Sequence, residues 1–275
     1  MQLEALLNYP RALPTMPRSV SDLLVEMQRD EPDPKRVAHL MARDPALTTR
    51  VLRLSNSAFF RVSRRIGSVD EAVALLGLTH VRSLVMAAAL GASFKNIPGI
   101  DLPQFWRYSL RVADISRSLA GVLRQNEGNA FTAGLIHCIG ELAMHIAMPD
   151  DMVPLDMGTS PFDLRRAAAE QAAFGYSFAE VSAGLVEKWQ FPPTMVSALA
   201  HQVAPFEGDA YDPLGGVLHL AAWRARAEEV QLDSQGLAAT FPDLVGLTLG
   251  LDLGSVLDKD PAEWSFSQAL GAFSD

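Results

Sequence analysis

One cysteine in 275 residues leaves no disulfide to be made within the chain, so stability has to come from packing. Aromatic residues are only 8% of the sequence. The four tryptophans and four tyrosines are scattered, without the aromatic-basic interleaving of single-strand nucleic-acid binders. Positive charge is also scarce: 23 Lys/Arg face 32 Asp/Glu, a net of −9, which argues against non-specific attachment of the whole molecule to nucleic acid. No sustained run alternates apolar and polar residues as a half-buried strand would. The apolar run near Leu84–Leu90 is far too short to span a bilayer. Met1-Gln-Leu-Glu-Ala lacks the basic and apolar regions of a signal peptide. The expectation is a soluble cytoplasmic protein with no membrane contact. Neither a Gly-x-x-x-x-Gly-Lys phosphate loop nor a Gly-x-Ser-x-Gly elbow is present.

What is there is apolar and helical. Hydrophobic residues make up 49%, enough for a sizeable core. Apolar residues recur three and four apart, as in Val20, Leu23, Leu24 and Met27. Asp33-Pro34, Asp44-Pro45 and Ser160-Pro161 each put a capping oxygen before a proline, and Ser68-Val-Asp-Glu71 and Ser177-Phe-Ala-Glu180 have capping-box spacing. Stops are expected at Gly77, Asn96-Ile-Pro-Gly99, Gln125-Asn-Glu-Gly-Asn129 and Gln190-Phe-Pro-Pro193. The prediction is an all-α chain of roughly a dozen helices. Residues 13–95 form an N-terminal helical layer and 102–205 a second bundle. An acidic extension, 206–275, packs on the same core with helices near Pro213–Val230 and Leu244–Leu257. Charge is uneven. Residues 35–82 carry nine Lys/Arg against three Asp/Glu, and 203–275 carry three against twelve. The basic segment is either a set of solvated helix faces or a patch for an anionic partner.

Phe131-Thr-Ala-Gly-Leu-Ile-His-Cys-Ile-Gly140 resembles the helix that gives HD-type phosphohydrolases a His-Asp ligand pair, with Cys138 in place of the carboxylate. Such enzymes gather His and Asp side chains around a cation that acidifies water and polarises a phosphoryl oxygen. The same resemblance places Tyr108, in Phe105-Trp-Arg-Tyr-Ser-Leu110, where a first His would stand. It places Phe178 at another His position, His201-Gln202 in place of a His-His pair, and Ala222 in place of a closing Asp. His137 and His201 are expected to remain neighbours beside Cys138, as core residues or as a weak transition-metal site. His137, Glu141 and His145 also recur four apart on one helical stripe. The two histidines would stand about 12 Å apart at a rise of 1.5 Å per residue, too far for one ion. Glu141 is expected to orient a neighbouring His, and His145 to sit on a partly exposed face.

Further segments fall in a recognisable order: Leu13-Pro-Thr-Met-Pro17, Arg43-Asp-Pro-Ala-Leu47, Val51-Leu-Arg-Leu-Ser-Asn-Ser-Ala-Phe59, Ile66-Gly-Ser-Val-Asp-Glu71 through Gly77, Gly134 to Gly140, and Trp189-Gln-Phe-Pro192. Taken together, these resemble the HDOD family, the HD-related output domain of bacterial signalling proteins, over residues 13–205. Locally, Asp44-Pro45 starts a helix with Leu47, Val51 and Leu54 on its apolar face. Asn56 is its expected left-handed stop, and Phe59 and Phe60 plug the gap before the Arg61–Arg65 loop. The resemblance implies an HD-like, phosphodiesterase-related core without metal chemistry. Its vestigial pocket would comprise Tyr108, His137, Cys138, Phe178, His201, Gln202 and Ala222. No catalytic residue, resident metal or cofactor is expected. The leading expectation is a response-regulator-type output module that binds a signalling protein, or a nucleotide or other anionic small ligand. The alternative is a metal-dependent phosphohydrolase with an atypical ligand set. A third class, a DNA-binding regulator using Thr79-His-Val-Arg82, conflicts with the overall charge and with the need to bury Leu78, Val81, Leu84 and Val85.

Overall fold

The computed structural model describes residues 1–9, 18–27, 29, 31–56, 62, 64–94, 96–189, 191–207 and 211–257. Every regular element among them is helical. Leu13-Pro-Thr-Met-Pro17, Phe59, Phe60, Arg61 and Gln190 lie outside the described residues. The chain divides into two compact units, one built from residues 1–13 and 96–261, the other from residues 14–95.

The first helix, α1 (Leu3–Leu7), belongs to the larger unit. The smaller unit contains α2 (Arg18–Met27), α3 (Pro34–Ala42), α4 (Pro45–Ser55) and α5 (Val69–Ser93). Asp33 caps α3 by accepting from Lys35 N, and Asp44 caps α4 by accepting from Leu47 N, each with proline in the first turn. Val37, Met41 and Val51 are completely buried between these helices. Asn56 departs from expectation. Its φ is −90°, so it is no left-handed stop. Instead its side chain clamps the next segment: Nδ2 donates to Ile66 O and Leu52 O, and Oδ1 accepts from Ile66 N at 2.7 Å. Ser68 accepts from Glu71 N, while the Glu71 carboxylate takes the amide of Gly67 rather than that of Ser68. Gly77 (φ 77°) breaks α5 into two straight pieces. Past it, Val81, Leu84 and Val85 are buried.

The larger unit continues with α6 (Leu102–Val122), α7 (Glu127–Ile136), α8 (Ile139–Ala147), α9 (Pro149–Gly158), α10 (Arg166–Phe174), α11 (Phe178–Lys188), α12 (Pro193–His201), α13 (Pro213–Glu229), α14 (Ser234–Thr240), α15 (Asp243–Leu249) and α16 (Leu253–Leu257). The centre is α6 packed against α7 and α13, which also meet each other; α11 packs on α8 and α12, and α12 on α13 and α7. Trp106, Leu119, Leu135, Ile136, Leu218 and Trp223 are almost wholly buried there. The segment after residue 205 is therefore no appendage: α13 supplies one wall of the core.

Several predicted boundaries move. Asn126 caps α7 by accepting from Asn129 N, so Glu127 opens a helix instead of extending a turn. Ser160-Pro161 starts two tight turns, and α10 begins only at Arg166. A left-handed Gly250 splits the predicted 244–257 helix into α15 and α16. Among the described residues, Glu127–Ala147 is long and apolar enough to cross a membrane, a stretch the sequence reading passed over. It is 94% buried in the protein and broken between α7 and α8, so it serves as core.

Candidate functional site

The break between α7 and α8 falls at His137 and Cys138. Two glycines bring that break against its neighbours. A Cβ on Gly134 would stand 2.6 Å from Ala113 Cα of α6, and one on Gly140 would run into the Phe178 carbonyl oxygen of α11. Without side chains there, α6 and α11 close on either flank, and Gly140 N donates to Ser182 Oγ at 2.9 Å. The Gly-x-x-His-Cys-x-Gly spacing is thus a packing device that presents two polar side chains at a helix junction.

The presentation is locked by a relay of bonds. His137 Nδ1 lies 2.7 Å from Gly134 O. Gln202 Nε2 donates to His137 O at 2.8 Å and to Leu199 O at 2.9 Å. His219 Nδ1, on α13, lies 2.9 Å from Gln202 O. The rings of Tyr108 and His137 meet at 5.4 Å, and Tyr108 packs on Phe162 at 5.0 Å. Together these residues surround a cavity of about 70 Å³. Tyr108, His137, Cys138, Phe178, Gln202 and Ala222 all line it, so six of the seven positions singled out in the sequence converge.

His201 does not join them. It lines a separate, wider groove of about 630 Å³ with Gln171, Ser177, Glu180 and Glu207. His201 closes α12 and Gln202 follows it, and of the two only Gln202 reaches the cavity. The imidazole of His201 is instead held by Ser197 O at 2.8 Å. The expected His137–His201 neighbourhood is therefore replaced by His137 and His219. The sequence did carry a signal for His219: it stands three residues before Ala222, on the same face of one helix. The Pro161–Leu164 turn and Ala167 complete the lining and were not anticipated.

The stripe His137, Glu141, His145 also needs correcting, because the junction interrupts the helix on which it was drawn. His145 is buried, not partly exposed, bonded through Nδ1 to Glu141 O and through Nε2 to Asp156 Oδ2 at 3.0 Å. Glu141 pairs chiefly with Arg166, whose Nε and Nη2 reach its two oxygens at 2.9 and 3.2 Å. Arg166 also binds Glu170 at 2.8 Å, Thr159 O at 2.6 Å and Asp156 at 2.8 Å. Burial and the Glu170 charge push the Glu141 carboxyl well above its usual range, against the pull of Arg166. This ionic knot fastens α8 to α10 behind the cavity.

Apart from Asp163 at the rim, the lining is uncharged near neutral pH. Burial pulls His137 down to about 4, against the supporting bond to Gly134. Burial likewise lowers His219 and raises the Tyr108 phenol and the Cys138 thiol, the last despite its contact with Ser109 Oγ. A Cys138 held as a thiol is a poor nucleophile. At the rim, Asp163 is held low by Arg165. A divalent ion would need three or more converging donors. Among the described residues no group of three His, Cys, Asp or Glu side chains is placed to hold one. Both imidazoles already commit Nδ1 to carbonyl oxygens, and the positions a carboxylate would fill are Cys138 and Ala222. The residues present do not fit the ion that an HD enzyme uses.

The fold is that of an HD-like helical domain. The chain belongs to the HDOD domain family, whose model matches residues 13–205. It is similar over 97% of its length to a Shewanella amazonensis protein named as a candidate phosphohydrolase, with 28% identity, 98% of that chain covered and a TM-score of 0.78. An HDOD domain protein of unknown function from Geobacter sulfurreducens matches at 23% identity and a TM-score of 0.75, covering 96% of this chain and 93% of that one. A Marinobacter aquaeolei protein named as a candidate signal transduction protein matches at 21% identity and a TM-score of 0.73, covering all of this chain and 62% of its own. The chain spans 40% and 18% of the lengths of two curated relatives that it matches.

Proposed function

We propose that this chain is a non-enzymatic signal-transduction module of the response-regulator type, working in the cytoplasm by binding a partner protein or a small ligand. One observation carries the reading. Six of the seven positions that the resemblance assigns to a cation site converge on one cavity, yet beside the His137 imidazole they contribute a phenol, a thiol, a phenyl ring, an amide and a methyl group. A shape kept while its donors are lost supports recognition over hydrolysis. The signal transduction name given to the Marinobacter aquaeolei neighbour agrees with it. The open groove beside the cavity shares Leu164, Ala167 and Val203 with its rim, so an occupant of one would be felt in the other. A nucleotide or other anionic ligand remains within the proposal, provided that its charge stays outside the neutral lining.

The second reading, a metal-dependent phosphohydrolase, draws on the name of the Shewanella amazonensis neighbour at 28% identity. Metal analysis of the purified chain, with turnover of phosphate mono- and diesters in Mn²⁺ or Mg²⁺, separates the two. The proposal expects less than stoichiometric metal and no chelator-sensitive cleavage. A stoichiometric ion with chelator-sensitive cleavage would replace it with the second reading.

A further inference from the structure

The cavity has a definite hydrogen-bonding sense. A carbonyl oxygen can only accept, so the contacts of His137 Nδ1 with Gly134 O and of His219 Nδ1 with Gln202 O place a proton on Nδ1 in both rings. Each neutral ring then carries a lone pair on Nε2. Among the described residues neither Nε2 has a hydrogen-bond partner, and neither does the Tyr108 hydroxyl. All three side chains line the same cavity, whose remaining walls include Phe162, Phe178 and Ala222. Burial keeps both imidazoles unprotonated near neutral pH, so they remain acceptors there.

A phosphate or carboxylate inside would set its own lone pairs against two ring nitrogens. It would also lose its hydration, with no cation among the lining residues to replace it. A flat group bearing N–H or O–H donors would satisfy the nitrogens and stack against the aromatic walls. Size narrows the class further. The cavity holds about 70 Å³, less than half of the roughly 150 Å³ of a cavity that takes benzene, so it admits the donor-bearing edge of a ring and not a ring in full.

We infer that the cavity binds the N–H or O–H donor edge of an uncharged ring, with His137 and His219 as the paired acceptors. This rests on the binding reading above and names the chemistry that such binding selects. The rest of the ligand, any phosphate included, stays outside the rim.

The test uses the full chain with ¹⁵N-labelled histidine, the imidazole signals being assigned with a His219→Gln variant. Pyrazole and uracil are titrated as neutral donors. 1-Methylpyrazole and 1,3-dimethyluracil are their matched controls, and inorganic phosphate and Mn²⁺ are added separately. The expected result is an upfield shift of the Nε2 signals of His137 and His219 with the N–H compounds. Their affinity should be about tenfold higher than that of the methylated ones, the usual penalty for a buried acceptor left unmatched. Ala222→Phe, which fills the cavity, should abolish the shifts while far-UV circular dichroism stays unchanged. Equal affinity for the methylated compounds, a preference for phosphate, or no response to any ring compound would overturn the inference and leave the non-enzymatic reading standing on its protein partner. Broadening of both histidine signals by Mn²⁺, with ester cleavage, would overturn that reading itself.

Discussion

Replacing Arg166 with methionine removes the cation from a site that still holds two fully buried carboxyl groups. Glu141 and Glu170 are 1% and 0% exposed, and both lie within 3 Å of the Arg166 Nε. Removing one partner of a buried ion pair costs about 3–5 kcal/mol, since the charge left behind has neither water nor a counterion. For a unit of this size that corresponds to a fall in melting temperature of roughly 6–20 °C. The loss depends on pH, with a calculable sign. In the variant nothing opposes the burial that already holds the Glu141 carboxyl above its unfolded value of about 4.3, so the folded state binds more protons than the unfolded one and loses stability as pH rises from there. The gap between variant and wild type should therefore be widest at pH 7 and narrow toward pH 4.5. Adding Glu141→Gln and Glu170→Gln to Arg166→Met should restore most of the loss. Urea unfolding followed by circular dichroism at the two pH values measures all of this. A loss below about 1 kcal/mol at pH 7, or a gap that does not narrow in acid, would refute the account of the knot.

Asn56→Ala should destabilise the smaller unit by about 1–3 kcal/mol, because it strands Ile66 N and O together. Hydrogen exchange at the Ile66 amide should speed up ahead of its helical neighbours, and an unchanged rate would remove the clamp from the account. Asp114 is 1% exposed with neither carboxylate oxygen hydrogen-bonded, and burial raises its pKa against the pull of Arg117. The raised value means that its contribution is favourable in acid and is lost as pH climbs past about 4. Asp114→Asn should therefore stabilise by about 1–3 kcal/mol at pH 8 and by little near pH 4. Equal urea midpoints for variant and wild type at pH 8 would count against a buried acid without hydrogen bonds.

The caps were the most legible features in the sequence. Asp33, Asp44 and Ser177 act where their spacing to proline or glutamate placed them, since a cap involves only a few consecutive residues. Ser160-Pro161 has the same pattern and starts no helix. The Pro161–Leu164 turn lies instead against Phe105, Tyr108 and the cavity, a tertiary demand that overrides a local preference. The candidate site was legible as a set of substitutions but not as a surface. Tyr108, His137, Cys138, Phe178, Gln202 and Ala222 were named by position, whereas which residue of the His201-Gln202 pair faces inward depended on how α12 is rotated. His145 drew an exposed assignment because nothing local shows that Arg166 and Asp156 close over it.

Composition and periodicity by themselves determined that the chain is helical and that disulfides do not hold it. The glycines at 134 and 140 are also written in the order of residues, because each concerns one position and its near neighbours. Tertiary structure alone decided that Gln202 and not His201 faces the cavity, and that His137 and His219 meet around one small space. Those facts depend on backbone carbonyls and helix faces brought together from residues scores of positions apart, and no short-range pattern encodes them.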